Sequence, residues 1–198
     1  RERTIRSLAV RYDIDGAQVE RVKKTARDLL AGMSPEERTP EWLQAEKIIE
    51  WAVELHEIGL HINRRAIQEH SSYIIGNTEL PGFSREEQDI LALLLKHYRK
   101  DFKRKNFGDF TLYKKRNLVM MVAILRLAVL LNIRRLDDAR PNISARIKKN
   151  QIELSFEENW LENNAVIRSD LRNERDLFKS NKLKLKLVKQ KEHKDSAD

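Results

Sequence analysis

The longest apolar run leaves few architectures open. Between Leu118 and Leu131 the only polar residue is Arg126. A segment apolar on every side sits either in a membrane or among other elements. Crossing a bilayer takes roughly 18 or more such residues, and this run is shorter. The expectation is therefore a buried central helix in a soluble protein, without membrane insertion. Such a helix needs others to cover it, and the preceding sequence supplies them.

Thr4 to Tyr12 reads as a short helix with Ile5, Leu8 and Ala9 inward. Asp15 caps a second, in which Val19, Val22, Ala26, Leu29 and Leu30 keep helical spacing up to Gly32. Thr39-Pro40 opens a third, with Thr39 as N-cap and Pro40 in the first turn. Its stripe of Trp42, Ala45, Ile48, Ile49, Ala52 and Val53 runs to His56 and stops near Gly59. A fourth covers Arg65 to Ile75. Ser84 and Glu87 form a capping box for a fifth, which carries Ile90, Leu91, Leu93, Leu94 and Leu95. The apolar helix itself is expected from about Leu112 to Arg135.

The periodicity changes after Pro141. Ile143, Ala145 and Ile147 alternate with polar residues, as do Ile152, Leu154 and Phe156, with Lys149-Asn150 as a hairpin turn between them. Asn163 to Ser180 returns to helix, with Val166, Leu171 and Phe178 as its apolar contacts. Leu183, Leu185 and Leu187 then alternate with Lys182, Lys184 and Lys186, as in a half-buried strand with a basic outer face. The fold class is thus mainly α: a helical domain over 1–139, a small α+β domain over 140–189 and a loose tail over 190–198.

Charge is unevenly spread. The 198 residues hold 39 Lys and Arg against 31 Asp and Glu, a net of +8. Nine of those cations, with only two aspartates, fall between Lys96 and Arg116, whereas Ser34 to Glu57 holds seven glutamates against two cations. Crowded cations add their fields and attract a polyanion. The candidates are Arg99, Lys100, Lys103, Arg104, Lys105, Lys114, Lys115 and Arg116, with Arg134, Arg135, Lys148 and Lys149 as secondary ones. A plain solvated face is the competing reading. Tyr98, Phe102, Phe107, Phe110 and Tyr113 lie among these cations, where they either stack on bases or, the favoured reading, form the core face of the segment. The chain has no cysteine and only ten Gly and Pro together. That excludes a disulfide scaffold, a thiolate zinc site and collagen-like structure, and it fits a reducing, cytoplasmic setting. The opening RERTIRSLAV has no targeting pattern, and Arg1 reads as a cut point in a longer protein.

His56, His70 and His97 all fall on expected helices, with Glu57 beside the first. They either converge on a metal in a bundle or each satisfy a local carbonyl or helix end.

The blocks LHEIGLHINRRAIQEHSSYIIGN, LPGFSREEQ, KHYRK and FTLYKKRN occur in that order. They resemble the carboxyl-terminal part of the exopolyphosphatase and guanosine pentaphosphate phosphohydrolase family, from Arg1 to about Lys189. KHYRK and FTLYKKRN lean to the exopolyphosphatase branch. The resemblance implies a helical domain similar to His-Asp phosphohydrolases, followed by a small terminal domain. It also implies a hydrolytic site in amino-terminal domains upstream of Arg1, Mg²⁺ for the parent enzyme, and a homodimer.

In His-Asp phosphohydrolases a metal is held by an early His, a His-Asp pair and a later Asp. Here the early His falls near Gln18, the pair becomes His56-Glu57 and the later Asp falls near Val129. The resemblance therefore implies a degenerate site at His56, Glu57, His70 and His97 without a working metal. Arg126 is expected to pair with Glu57 or Glu54 in the metal's place, because a buried guanidinium without a carboxylate is very costly.

Three functions compete. The first is a module of an exopolyphosphatase that grips long inorganic polyphosphate without being catalytic itself. The second is a self-sufficient metal phosphohydrolase of a nucleotide such as guanosine pentaphosphate. The third is a nucleic-acid-binding module.

Overall fold

A computed structural model describes residues 1–137 and 142–190. The expected boundary between 139 and 140, and all of the expected tail except Gln190, lie outside the described residues. Six helices come first: α1 (Glu2–Arg11), α2 (Gly16–Ala31), α3 (Pro40–Leu55), α4 (Ile67–Asn77), α5 (Arg85–His97) and α6 (Lys115–Leu131). The sheet strands β1 (Ile143–Lys148) and β2 (Gln151–Phe156) follow, then the short α7 (Trp160–Asn163), α8 (Ala165–Ser180) and β3 (Lys184–Lys189). The fold class is as expected, mainly α with a small α+β end.

Capping chemistry sets the helix starts. Asp15 accepts from the Gln18 amide, Thr39 from Trp42, and Ser84 and Glu87 complete the capping box. The central helix α6 is buried on nearly every side, from Leu118 to Ala128 and again at Leu131. It is shorter at both ends than its apolar pattern implies. Tyr113 is buried as a loop anchor and Leu112 stays exposed, so the helix begins at Lys115. At the other end the Asn132 amide donates to the Ala128 carbonyl and to Thr25 Oγ1, and the chain leaves the helix. Two other expectations are corrected. Ala66 adopts a left-handed backbone (φ 57°), which delays α4 to Ile67. On α8 it is Ile167 that is buried, while Val166 is exposed.

β1 and β2 form an antiparallel hairpin that turns at Lys149, where φ is 53°. β3 returns parallel to β2 after α7 and α8, giving the sheet order β1-β2-β3. The sheet docks on the end of α2. The Ile147 amide donates to the Gly32 carbonyl (2.7 Å) and the Ser34 amide to the Ile147 carbonyl (2.9 Å). A Cβ on Gly32 would lie 2.1 Å from the Ala145 carbonyl oxygen, so this approach requires glycine. No described helix is long and apolar enough to cross a membrane.

Candidate functional site

His56 ends α3 at full burial. Its Nδ1 lies 2.7 Å from the Val53 carbonyl, its Nε2 has no partner among the described residues, and the Tyr98 ring meets it edge-on at 5.7 Å. Burial pushes the imidazole below its usual pKa, and the Val53 hydrogen bond only partly opposes this. Glu57 points elsewhere, to Arg135, whose Nη1 lies 2.6 Å from Oε1. Arg135 Nη2 also donates to Asp15 (2.6 Å). The Arg135 backbone is left-handed, with φ 57°. The same guanidinium holds the Asp15 carboxyl below its ordinary pKa. Gln18 is buried, donating to the Asn132 carbonyl (3.0 Å) and accepting from Arg21 (3.0 Å). Val129 lies away from this notch, in the wall of a cavity beside Arg126.

The other two histidines do not join His56. His97 stacks on Phe107 (centroids 5.1 Å apart), and burial lowers its pKa to about 4. His70 sits half-buried on α4. Among the described residues, no group of three or more His, Asp or Glu is close enough to hold a metal ion. The donor set also does not fit one. One His56 nitrogen serves a backbone carbonyl, Glu57 is engaged by a guanidinium, and the remaining positions carry an amide and an alkyl group.

Arg126 does pair with a carboxylate, but neither Glu57 nor Glu54. It is bidentate to Glu174 of α8, at 2.7 and 2.6 Å, and its Nη1 donates to the carbonyls of His97 (2.6 Å) and Lys100 (2.8 Å). Glu54 instead takes Lys23 (2.8 Å). The reason is direction: Arg126 lies on the face of α6 turned to α8. No pattern in the sequence singled out Glu174, which lies 48 residues further on.

The basic segment is a loop from Tyr98 to Lys114 with a single short turn at Arg104–Asn106. Its aromatics hold it down: Tyr98, Phe102, Phe107 and Tyr113 are all buried. The core-face reading therefore holds for these four rings, and Phe110, the fifth, is half-buried against the core. Glu86 of α5 accepts from the backbone amides of Thr111 and Leu112 and fixes the far arm. Asn181, at the end of α8, fixes the near arm. Its Oδ1 accepts from the Arg104 amide (2.6 Å) and its Nδ2 donates to the Phe102 carbonyl (3.1 Å).

This anchoring sorts the eight candidate cations into separate places. Lys103, Arg104, Lys105 and Lys115 meet Lys182 around a depression of about 460 Å³ that no carboxylate of the described residues lines. Lys115 also contacts Asp109 (3.1 Å). Through Lys182 the depression adjoins a second one, along Lys179, Lys184 and Arg175, which Asp176 also lines. Arg99 and Lys100 instead line the cavity of about 470 Å³ beside Arg126 and Glu174. Arg116 faces Glu36, Glu37 and Glu41 in a third place, together with Lys149. Lys114 is exposed at the start of α6. Of the remaining secondary candidates, Arg134 reaches Asn164 at 3.4 Å, and Lys148 ends β1. The contribution of Lys182 to the loop cations was not legible in the sequence, since Asn181 gives no local sign of bridging to Phe102 and Arg104.

The family model described as Ppx/GppA phosphatase, domain III, matches residues 1–175. The chain belongs to the Ppx/GppA phosphatase family. Among curated relatives it is 33 % identical over 177 residues to the guanosine-5'-triphosphate,3'-diphosphate pyrophosphatase of Pseudoalteromonas translucida, covering 88 % of this chain and 35 % of that protein. Enzymes of the same name from Aeromonas hydrophila and Vibrio cholerae are 31 % and 32 % identical, covering 87 % and 86 % of this chain and 34 % of each relative. The chain spans about a third of the length of these relatives. They carry the guanosine name, and so favour the guanosine branch over the exopolyphosphatase branch expected from KHYRK and FTLYKKRN.

Proposed function

We propose that this chain is the helical module of a phosphatase acting on guanosine-5'-triphosphate,3'-diphosphate. In this reading it gathers the phosphorylated substrate, and the bond is broken by groups in the remainder of a longer protein, with Mg²⁺ there as the family resemblance implies. The observation that carries the reading is the depression at Lys103, Arg104, Lys105, Lys115 and Lys182, which among the described residues presents cations and no carboxylate. Clustered ammonium and guanidinium groups bind phosphate oxygens by charge-assisted hydrogen bonds and focus the field on an incoming anion. The substrate named for the relatives brings two phosphate groupings, both of which suit such a surface.

The self-sufficient metal phosphohydrolase is disfavoured by its own expected ligands, since among the described residues His56, Glu57, His70 and His97 do not come together. Long polyphosphate is the second reading. It is favoured by the continuation of the basic row through Lys182 to Lys179 and Lys184, which is longer than a single nucleotide needs. Single-stranded nucleic acid is less favoured, because four of the five loop rings that would stack on bases are buried and Phe110 is half-buried against the core.

The test is binding of guanosine-5'-triphosphate,3'-diphosphate and of a long polyphosphate to the whole chain, with K103Q/R104Q/K105Q as the variant. The triple change weakens binding of the nucleotide by about tenfold or more. Unchanged affinity would remove the depression from the proposal, and turnover by the chain alone would remove the assignment of bond breaking elsewhere.

A further inference from the structure

The cavity beside the Arg126–Glu174 pair differs in kind from the basic depression. Its floor is aliphatic, made by Val129 and Leu130 of α6 and Leu177 of α8. One wall is α8, where Asp170 and Asn173 lie one turn apart on the same face. The rim is the start of the basic loop, with Arg99 and Lys100 exposed. Asp101 beside them leaves that rim with a net positive charge. At about 470 Å³ the cavity falls within the range of small-ligand sites.

The cavity is also firmly built. Arg126 is 5 % exposed, and four of its five N–H groups are used, two by Glu174 and two by the carbonyls of His97 and Lys100. The guanidinium thus fixes α8 to α6 and pins the loop at Lys100, whose backbone is left-handed (φ 61°). Asp170 is half-buried and, among the described residues, makes no hydrogen bond or ion pair. A carboxylate held half out of water on a rigid wall is an acceptor waiting for a donor.

We infer that this cavity receives the guanine base of a phosphorylated nucleoside, with Asp170 on the base edge and Arg99 and Lys100 on the phosphates. Guanine is the nucleic-acid base that offers two adjacent N–H groups, N1–H and the N2 amine, to a single carboxylate. Adenine and cytosine present one amine each, beside an acceptor that a carboxylate repels. Asn173 can donate to the guanine O6, and the aliphatic floor covers the face of the ring. The same loop carries Lys103, Arg104 and Lys105 a few residues beyond Lys100. The inference rests on the proposed role in binding a phosphorylated nucleoside and assigns the base its own pocket, apart from the phosphate depression.

The experiment compares guanosine 5'-diphosphate, adenosine 5'-diphosphate and inorganic tripolyphosphate on the whole chain by calorimetric titration, with D170N as the variant. The guanosine nucleotide is expected to bind about tenfold more tightly than the adenosine one. D170N should abolish that preference and leave tripolyphosphate binding unchanged. L177W, which fills the floor, should do the same. Amide NMR shifts in the unaltered protein should place the guanosine nucleotide at 170–177 and tripolyphosphate at 103–105. Equal affinity for the two nucleotides, or a guanosine preference that survives D170N, overturns the base pocket. Loss of tripolyphosphate binding from the 103–105 variant is a separate result and concerns only the phosphate depression.

Discussion

Arg126 and Glu174 keep 5 % and 12 % of their side chains in contact with solvent. Breaking such a pair from one side leaves a charge buried without its counterpart, which costs about 3–5 kcal/mol, whereas replacing both members with apolar groups costs far less. Urea denaturation should therefore rank E174A well below R126L/E174L. Equal losses would mean that Glu174 reaches water in solution. That Arg126 needs a carboxylate was legible from its place in an apolar helix. Which carboxylate was not, because Glu54, Glu57 and Glu174 all carry the right charge and only packing chooses the face.

His97 gives the residue scale a pH signature. Its folded pKa is lowered from 6.5 to about 4, so the unfolded chain binds that proton first. Stability from this group is complete above 6.5 and is lost as pH falls from 6.5 toward 4. His56 acts in the same direction, through burial. Asp15 works in a lower window, as its depressed carboxyl loses its contribution only below the usual aspartate range. The melting temperature should fall between pH 6.5 and about 4, and H97F should flatten that slope. An identical slope in H97F would show that the ring is solvated.

At the scale of elements, boundaries set by local chemistry were legible, among them the capped starts of α2, α3 and α5, while the start of α4 and both ends of α6 were not. Asp15, Thr39 and Ser84 cap their helices through contacts within three or four residues, and local chemistry is what a sequence displays. The end of α6 depends on Asn132 reaching Thr25, and the shape of the basic loop on Asn181 reaching Phe102 and Arg104. These are long-range contacts without a periodic signal. Gly32 belongs with them. It reads locally as a helix stop, and its second role is to let Ala145 approach. G32A puts a methyl group against a carbonyl 2.1 Å away, so the sheet must shift. The expected loss is about 2 kcal/mol or more, with amide exchange quickening in 143–148 before α3. Uniform quickening would assign the loss to the helix end alone.

For the whole molecule, charge in the sequence and charge on the surface are different quantities. The segment from Lys96 to Arg116 reads as one basic block, yet the fold sends Arg99 and Lys100 to one cavity, Lys103 to Lys105 to another, and Arg116 toward three glutamates. It also adds Lys182 from the terminal part. A block acting through total charge and a site acting through placed cations respond differently to salt. Each phosphate contact contributes roughly 0.7 to the slope of log affinity against log salt. If binding is placed, K103Q/R104Q/K105Q should lower the slope for tripolyphosphate by about two. K114Q/R116Q, which removes almost as much charge from the same stretch, should leave it nearly unchanged. Slopes that fall in proportion to the charge removed, wherever it lies, would reduce the depression to a diffuse basic face.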